Sequence, residues 1–192
     1  MFPKDVLQRD ACLKFLCKRT PGLHVGGKTA LAWHGVRHNL AARELLCLWG
    51  PRNTRLPDWF TERFPSRLTT KALFSFKLAT QFELQPLPET PDGPLVAVPE
   101  RALLEMLSDV GIGQGVEEAR HIMEGARNLR MDVLIPLLKN CTRVKVVLLS
   151  VVWAEELALP WAAEARRALG RKMGHTRWMA RQKDGSTLIL TP

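Results

Sequence analysis

The amino-acid sequence predicts an α+β fold: N-terminal short helices with a small, mostly antiparallel sheet, followed by a helical cluster and a C-terminal β-hairpin. Three observations carry this reading. Short apolar runs bounded by Gly and Pro occupy residues 44–98, apolar residues at helical spacing take over from Pro99, and Trp178–Gln182 and Ser186–Leu190 flank Lys183-Asp184-Gly185, a strong hairpin signal.

At the start of the chain, Cys12 and Cys17 flank Leu13, Phe15 and Leu16 in an apolar helical stretch. Gly27 to Gly35 reads as a short helix, capped near Lys28 or Thr29 and closed by Gly35. Glu44 to Trp49 stops at Gly50-Pro51, a breaker pair after a short apolar run, and reads as a buried strand. Three strand-like pieces follow, around Leu68 to Leu73, Ala79 to Leu87 and Leu95 to Val98. They are punctuated by Pro86, Pro88, Pro91 and Pro94, with Pro91-Asp92-Gly93 supplying turn chemistry.

Past Pro99, Leu103, Leu104, Met106, Leu107 and Val110 lie at helical spacing, and Val116, Ala119, Ile122, Met123, Ala126 and Leu129 repeat the pattern after the break at 111–115. Asp132 is expected to cap a third helix, Val133 to Asn140, whose Pro136 must sit near the first turn or kink it. Val144 to Leu159 is rich in β-branched residues but too long for a typical strand. Its Val144, Val147, Leu148, Val151, Val152 and Glu155 share one helical stripe, so a helix is expected.

With 192 residues, 46% hydrophobic and 24% charged, the chain is sized for one domain or a domain with a small appendage, and such a chain buries roughly 70% of its unfolded surface. Wholesale disorder and fibrous character are excluded. The longest apolar stretch, Val144 to Ala154, is interrupted by Lys145 and Ser150 and falls short of the ~20 residues that span a bilayer, so no membrane partner is expected. No uncharged core precedes Asp10, so no secretory signal is visible. The expected location is cytoplasmic, with Cys12, Cys17, Cys47 and Cys141 reduced.

The formal net charge of +9 is unevenly spread. Residues 1–96 carry 14 basic and 8 acidic groups, net +6; residues 97–138 carry 4 and 7, net −3; residues 139–183 carry 10 and 3, net +7. A basic C-terminal third follows an acidic middle. Its Lys139, Arg143, Lys145, Arg166, Arg167, Arg171, Lys172, Arg177, Arg181 and Lys183, interleaved with Trp161 and Trp178, form a candidate surface for nucleic acid or an acidic partner. The competing reading is a solvated, solubilising face.

Gly22-Leu23-His24-Val25-Gly26-Gly27-Lys28-Thr29 fits the phosphate-loop pattern GxxxxGK[ST], in which backbone amides cradle phosphates, the lysine meets the terminal ones and the threonine holds magnesium. Such a loop must leave a buried strand. Cys17-Lys18-Arg19-Thr20-Pro21 is polar and broken by proline, which argues against nucleotide binding here. Cys12, Cys17, His34 and His38 imitate zinc-ligand spacing only loosely, and buried cysteines acting as small hydrophobes are the better reading. Neither GxSxG nor HExxH occurs. Glu117-Glu118, Glu155-Glu156 and Glu100/Glu105 are expected on exposed helix faces, so neither an enzyme nor a cofactor is expected.

Several of these segments together resemble one family. His24-Val25-Gly26-Gly27-Lys28-Thr29-Ala30-Leu31-Ala32-Trp33-His34-Gly35, then Leu56-Pro57-Asp58-Trp59-Phe60, then Val98-Pro99-Glu100-Arg101-Ala102-Leu103-Leu104-Glu105 are similar, in order, to elements of the AbiEi family. These are antitoxins and transcriptional regulators of type IV toxin–antitoxin, or abortive infection, modules. The likeness continues through Glu118 to Gly125, Leu129-Arg130, Leu137 to Cys141, Val144-Lys145-Val146 and Pro160-Trp161. It implies an antitoxin domain over residues 23–192 behind a helical extension, residues 1–22. The family's N-terminal winged helix, which binds operator DNA, is expected to be missing. The implied partner is a nucleotidyltransferase-like toxin, countered without a necessary stable complex, and the oligomeric state stays open. The alternatives are a DNA-binding transcriptional regulator acting through the basic surface and, third, a phosphate-loop nucleotide-binding protein.

Overall fold

The computed structural model describes residues 7–36, 45–173, 178–181 and 187–190. Helix α1 (Arg9–Arg19) turns Cys12, Leu13, Leu16 and Cys17 inward, one face of the helix, and leaves Phe15 half exposed. Strand β1 (His24–Val25) leads through Gly26 into α2 (Gly27–Trp33). Strand β2 (Leu46–Trp49) runs antiparallel to β1, with His24 opposite Trp49, and all four of its residues are buried. After the short α3 (Asp58–Thr61), β3 (Ser66–Thr69) lies parallel to β2. Strands β4 (Leu84–Gln85) and β5 (Val96–Ala97) pair antiparallel, and Val96 lies opposite Val25 in a parallel pairing with β1. The sheet order is β3-β2-β1-β5-β4.

The α+β class holds, but the sheet is mixed, two antiparallel and two parallel pairings, where a mostly antiparallel one was expected. Parallel neighbours need a connection of about a dozen residues or more, and residues 50–65 supply one between β2 and β3. The three strand-like pieces shrink to β3, β4 and β5. Pro86 stops β4 because proline has no N–H for the ladder.

Helix α4 (Pro99–Asp109) is the hub: every residue from Glu100 to Asp109 is buried, and it packs against α2, α5 (Val116–Glu124), α6 (Met131–Asn140), α7 (Val144–Glu156) and β5. Proline at its first position and Glu100 in its first turn suit the helix start. At the other end Lys145 Nζ donates to the carbonyls of Ser108 at 2.7 Å and Val110 at 3.0 Å, satisfying acceptors the helix leaves open. Beside it Arg67 pairs with Asp109 at 2.5 Å, and Arg143 donates to Ser108 Oγ. Burial pushes the Asp109 carboxyl up against the pull of Arg67, Lys145 and Arg143, and burial also pushes the Lys145 ammonium down, helped by Arg143.

The long β-branched segment is α7, as expected, and Cys12, Cys17, Cys47 and Cys141 are buried free thiols. Helix α6 departs from expectation. It starts at Met131 with Arg130 as its N-cap residue, so Asp132 lies in the first turn and Pro136 inside the helix. Helix α8 (Ala162–Met173) was not anticipated; Ala162, Ala165 and Leu169 face the core at helical spacing, obscured in the sequence by intervening Glu and Arg. Strands β6 (Trp178–Arg181) and β7 (Thr187–Leu190) form the expected antiparallel hairpin, Trp178 opposite Leu190, while its turn lies outside the described residues. One hydrophobic cluster runs from Leu13 of α1 through Val25, Leu48, Leu104 and Trp153 to Leu169 of α8. Among the described residues no helix is long and apolar enough to cross a membrane.

Candidate functional site

Strand β1 and helix α4 place three charged or ionisable side chains together in the interior. His24, 2% exposed, meets Glu105, 0% exposed, through Nε2 and Oε1 at 2.9 Å. Its Nδ1 lies 2.8 Å from the carbonyl of Gly22. The imidazole thus bridges the Gly22 turn and the Glu105 carboxylate of α4. Arg101, one helical turn before Glu105, donates its Nε–H to the same Oε1 at 2.9 Å. Burial alone would raise the Glu105 carboxyl, but the charges and hydrogen bonds of His24 and Arg101 hold it below its ordinary value.

The second oxygen, Oε2, accepts the backbone N–H of Gly27 at 3.1 Å, so a carboxylate from α4 caps the start of α2. Two adjacent glycines make this possible. A Cβ on Gly26 would collide with Glu105 Oε2 and come within 2.7 Å of Trp49 Cδ1, while Gly27 has φ +52°, a left-handed conformation side chains disfavour. Arg101 reaches further, donating from Nη1 to the carbonyls of Thr80 at 3.2 Å and Phe82 at 2.6 Å and lying 5.3 Å over the Phe74 ring. It thereby fixes the 74–82 loop to α4.

Glu100 does for α6 what Glu105 does for α2. Its Oε1 accepts the backbone N–H of Arg130 at 2.7 Å, and the Arg130 side chain grips both its oxygens and Glu83. Glu100 and Glu105 were expected on an exposed face and are instead buried, paired and capping. Glu117, Glu118, Glu155 and Glu156 are exposed as expected.

The phosphate-loop groups are also occupied. Gly27 N–H is taken by Glu105, Lys28 Nζ lies 3.2 Å from Glu118, and the Thr29 hydroxyl donates to the Leu45 carbonyl and accepts from Cys47 N–H, joining α2 to β2. Among the described residues no three His, Cys, Asp or Glu side chains are placed to hold a metal, and His38 lies outside them.

The ten basic candidates are spread over three settings. Arg143 and Lys145 turn inward onto the end of α4. Lys139 on α6 and Arg167 on α8 are exposed, and Arg166 makes a two-point pair with Glu155 at 2.7 and 2.5 Å, which holds that carboxyl low. Arg171 and Lys172 belong to α8 and Arg181 to β6, while Arg177 and Lys183 lie outside the described residues. Helix α8 packs on both α6 and α7, which puts the first two settings on neighbouring elements. Trp161 is buried, its indole N–H donating to the Ala126 carbonyl at 2.7 Å, so it fills the core. What the residue-by-residue reading missed is the knot itself. The signal for it lay in the spacing of Arg101 and Glu105 and in the two family-like segments, which the fold brings into contact.

The family model described as transcriptional regulator, AbiEi antitoxin, type IV TA system matches residues 43–186. The model described as the AbiEi antitoxin N-terminal domain matches residues 1–42. The expectation that an N-terminal domain is missing is therefore not confirmed. No curated protein matches the chain. Among solved structures, the crystal structure of the RV2827C protein from Mycobacterium tuberculosis is similar in fold, with a TM-score of 0.58 at 16% identity over 86% of this chain. The match spans 58% of that longer chain.

Proposed function

The chain belongs to the AbiEi antitoxin and transcriptional-regulator family of type IV toxin–antitoxin systems, and from that premise we propose that it acts as a non-enzymatic antitoxin countering a nucleotidyltransferase-like toxin. The family match over residues 43–186 is the observation that carries this reading. The occupied state of Glu100, Glu105, Lys28 and Thr29 supports a binding rather than a catalytic role, because each is already engaged by the fold. The working surface in this reading is the basic C-terminal third, with Lys139, Arg167, Arg171 and Lys172 as its leading residues and Arg143 and Lys145 supporting α4.

Co-expression with the product of the adjacent gene tests the proposal. Growth rescue by the wild type, lost in a folded variant with Arg166, Arg167, Arg171 and Lys172 changed to Ala, is the expected result. Absence of rescue beside a proven toxin rejects it.

The words transcriptional regulator in both family descriptions favour a second reading, DNA binding through the same cations. Its signature is a log K against log salt slope of about −0.9 per phosphate neutralised, reduced stepwise by each of those substitutions.

A further inference from the structure

Beside the His24–Glu105–Arg101 knot lies a cavity of about 710 Å³, walled by the ends of β1 and β2, the turn at Gly50 to Arg52 and the 70–80 loop. That volume is in the range of small-molecule sites. Its chemistry is lopsided in two ways. Arg52, Lys71 and Arg101 line it and no Asp or Glu does, and among the described residues neither Arg52 nor Lys71 has an acidic partner. Its aromatic lining is Trp49, Phe74 and Phe76, the last 95% exposed. Trp49 is itself buried, and its unpartnered indole Nε1–H has no surface open to the cavity, so the cavity's recognition rests on its cations and on Phe74 and Phe76.

Cations without carboxylates select an anion and reject a metal ion. Flat aromatic faces select a flat ring, and a nucleoside phosphate carries both an anion and a flat ring. We propose that this cavity binds a nucleoside phosphate, either free or as the unpaired nucleotide of a strand, with its base on the Phe76 and Phe74 faces and its phosphate on Arg52 and Lys71. Arg101 positions the site by holding the 74–82 loop to α4. The proposal needs neither the antitoxin reading nor the basic C-terminal third.

The test uses the full chain. Anisotropy of a labelled ten-nucleotide RNA strand and calorimetry with adenosine monophosphate are compared with the matching duplex and with a Glu-rich peptide. The variants are Phe76→Ala and the double Arg52→Ala/Lys71→Ala, all at exposed positions, with unchanged melting curves confirming the fold. Lys28→Ala and Arg167→Ala report on the phosphate-loop segment and on the C-terminal surface.

The expected result is binding of the strand or the mononucleotide, weakened about tenfold by Phe76→Ala, in line with base-stacking losses. The double variant lowers the strand's salt slope by about 1.4, at about 0.7 for each contact removed. Both controls stay within about twofold. Mononucleotide binding with the same sensitivity identifies a free nucleotide, and binding of the strand alone identifies an unpaired segment. Absence of both, indifference to Phe76→Ala and to the double variant, or equal affinity for duplex or peptide overturns the proposal. Growth rescue in the co-expression assay without binding here rejects this site and leaves the antitoxin reading standing.

Discussion

Glu105 joins an imidazole, a guanidinium and a backbone amide, so replacing it leaves several buried donors short of an acceptor at once. Glu105→Gln is expected to cost about 3 kcal/mol in urea denaturation at pH 7, the range for breaking a buried charge cluster from one side. The pH dependence has a definite sign. Because the folded carboxyl is held below its ordinary value of 4.5, its contribution is complete above that value and is lost as pH falls through the lower folded one. The gap between wild type and Glu105→Gln should therefore narrow as pH falls below about 4.5; a gap that widens there contradicts the assignment. Gly26→Ala tests the same packing from the backbone side. A methyl there must displace a buried carboxylate and an indole, so about 1–3 kcal/mol of destabilisation is expected, read as a lower denaturation midpoint.

At the scale of elements, the periodic ones were legible: α4, α5 and α7 announce themselves because each buries an apolar stripe long enough to repeat. Strands β1, β4 and β5 have two residues each, too few to alternate, and their pairing with distant partners cannot be read locally. The burial of Glu100 and Glu105 was hidden for the same reason. Arg101 is the one near neighbour in sequence that pairs with either of them, while His24 lies 81 positions from Glu105 and Arg130 lies 30 from Glu100. The start of α6 was misplaced because its cap comes from another helix. Pro136, interior to α6, withholds an N–H that would otherwise meet the Asp132 carbonyl. Pro136→Ala is expected to stabilise by about 2–2.5 kcal/mol, the gain of roughly 3 from a regular helix less the roughly 0.4–1 that proline's rigidity takes from the unfolded chain's freedom. Thermal melting measures it, as a rise of about 2–4 °C per kcal/mol for a chain of this size.

Across the whole molecule, the described helices and the five-stranded sheet share a single hydrophobic cluster, so they are expected to unfold together. Far-ultraviolet circular dichroism and tryptophan fluorescence, the latter reporting buried Trp49, Trp153 and Trp161, should trace superimposable denaturation curves. Leu104→Ala, at the centre of the hub helix and fully buried, should shift both curves equally by about 2–5 kcal/mol. Separated curves would mean that the N-terminal sheet and the helical cluster are independent units.

The two borrowed caps also set an order of events during synthesis. The amide of Gly27 waits for a carboxylate 78 residues downstream, which at 5–20 residues per second is an interval of roughly 4–16 s on the ribosome. Through that interval α2 has neither its anion nor its packing partner, and the nascent N-terminal segment must stay unassembled or be sheltered. Glu100 meets its amide in the reverse sequence, carboxylate first and helix second. Emergence of α4 is thus the moment at which the earlier half of the chain acquires a reason to fold and the later half acquires a template.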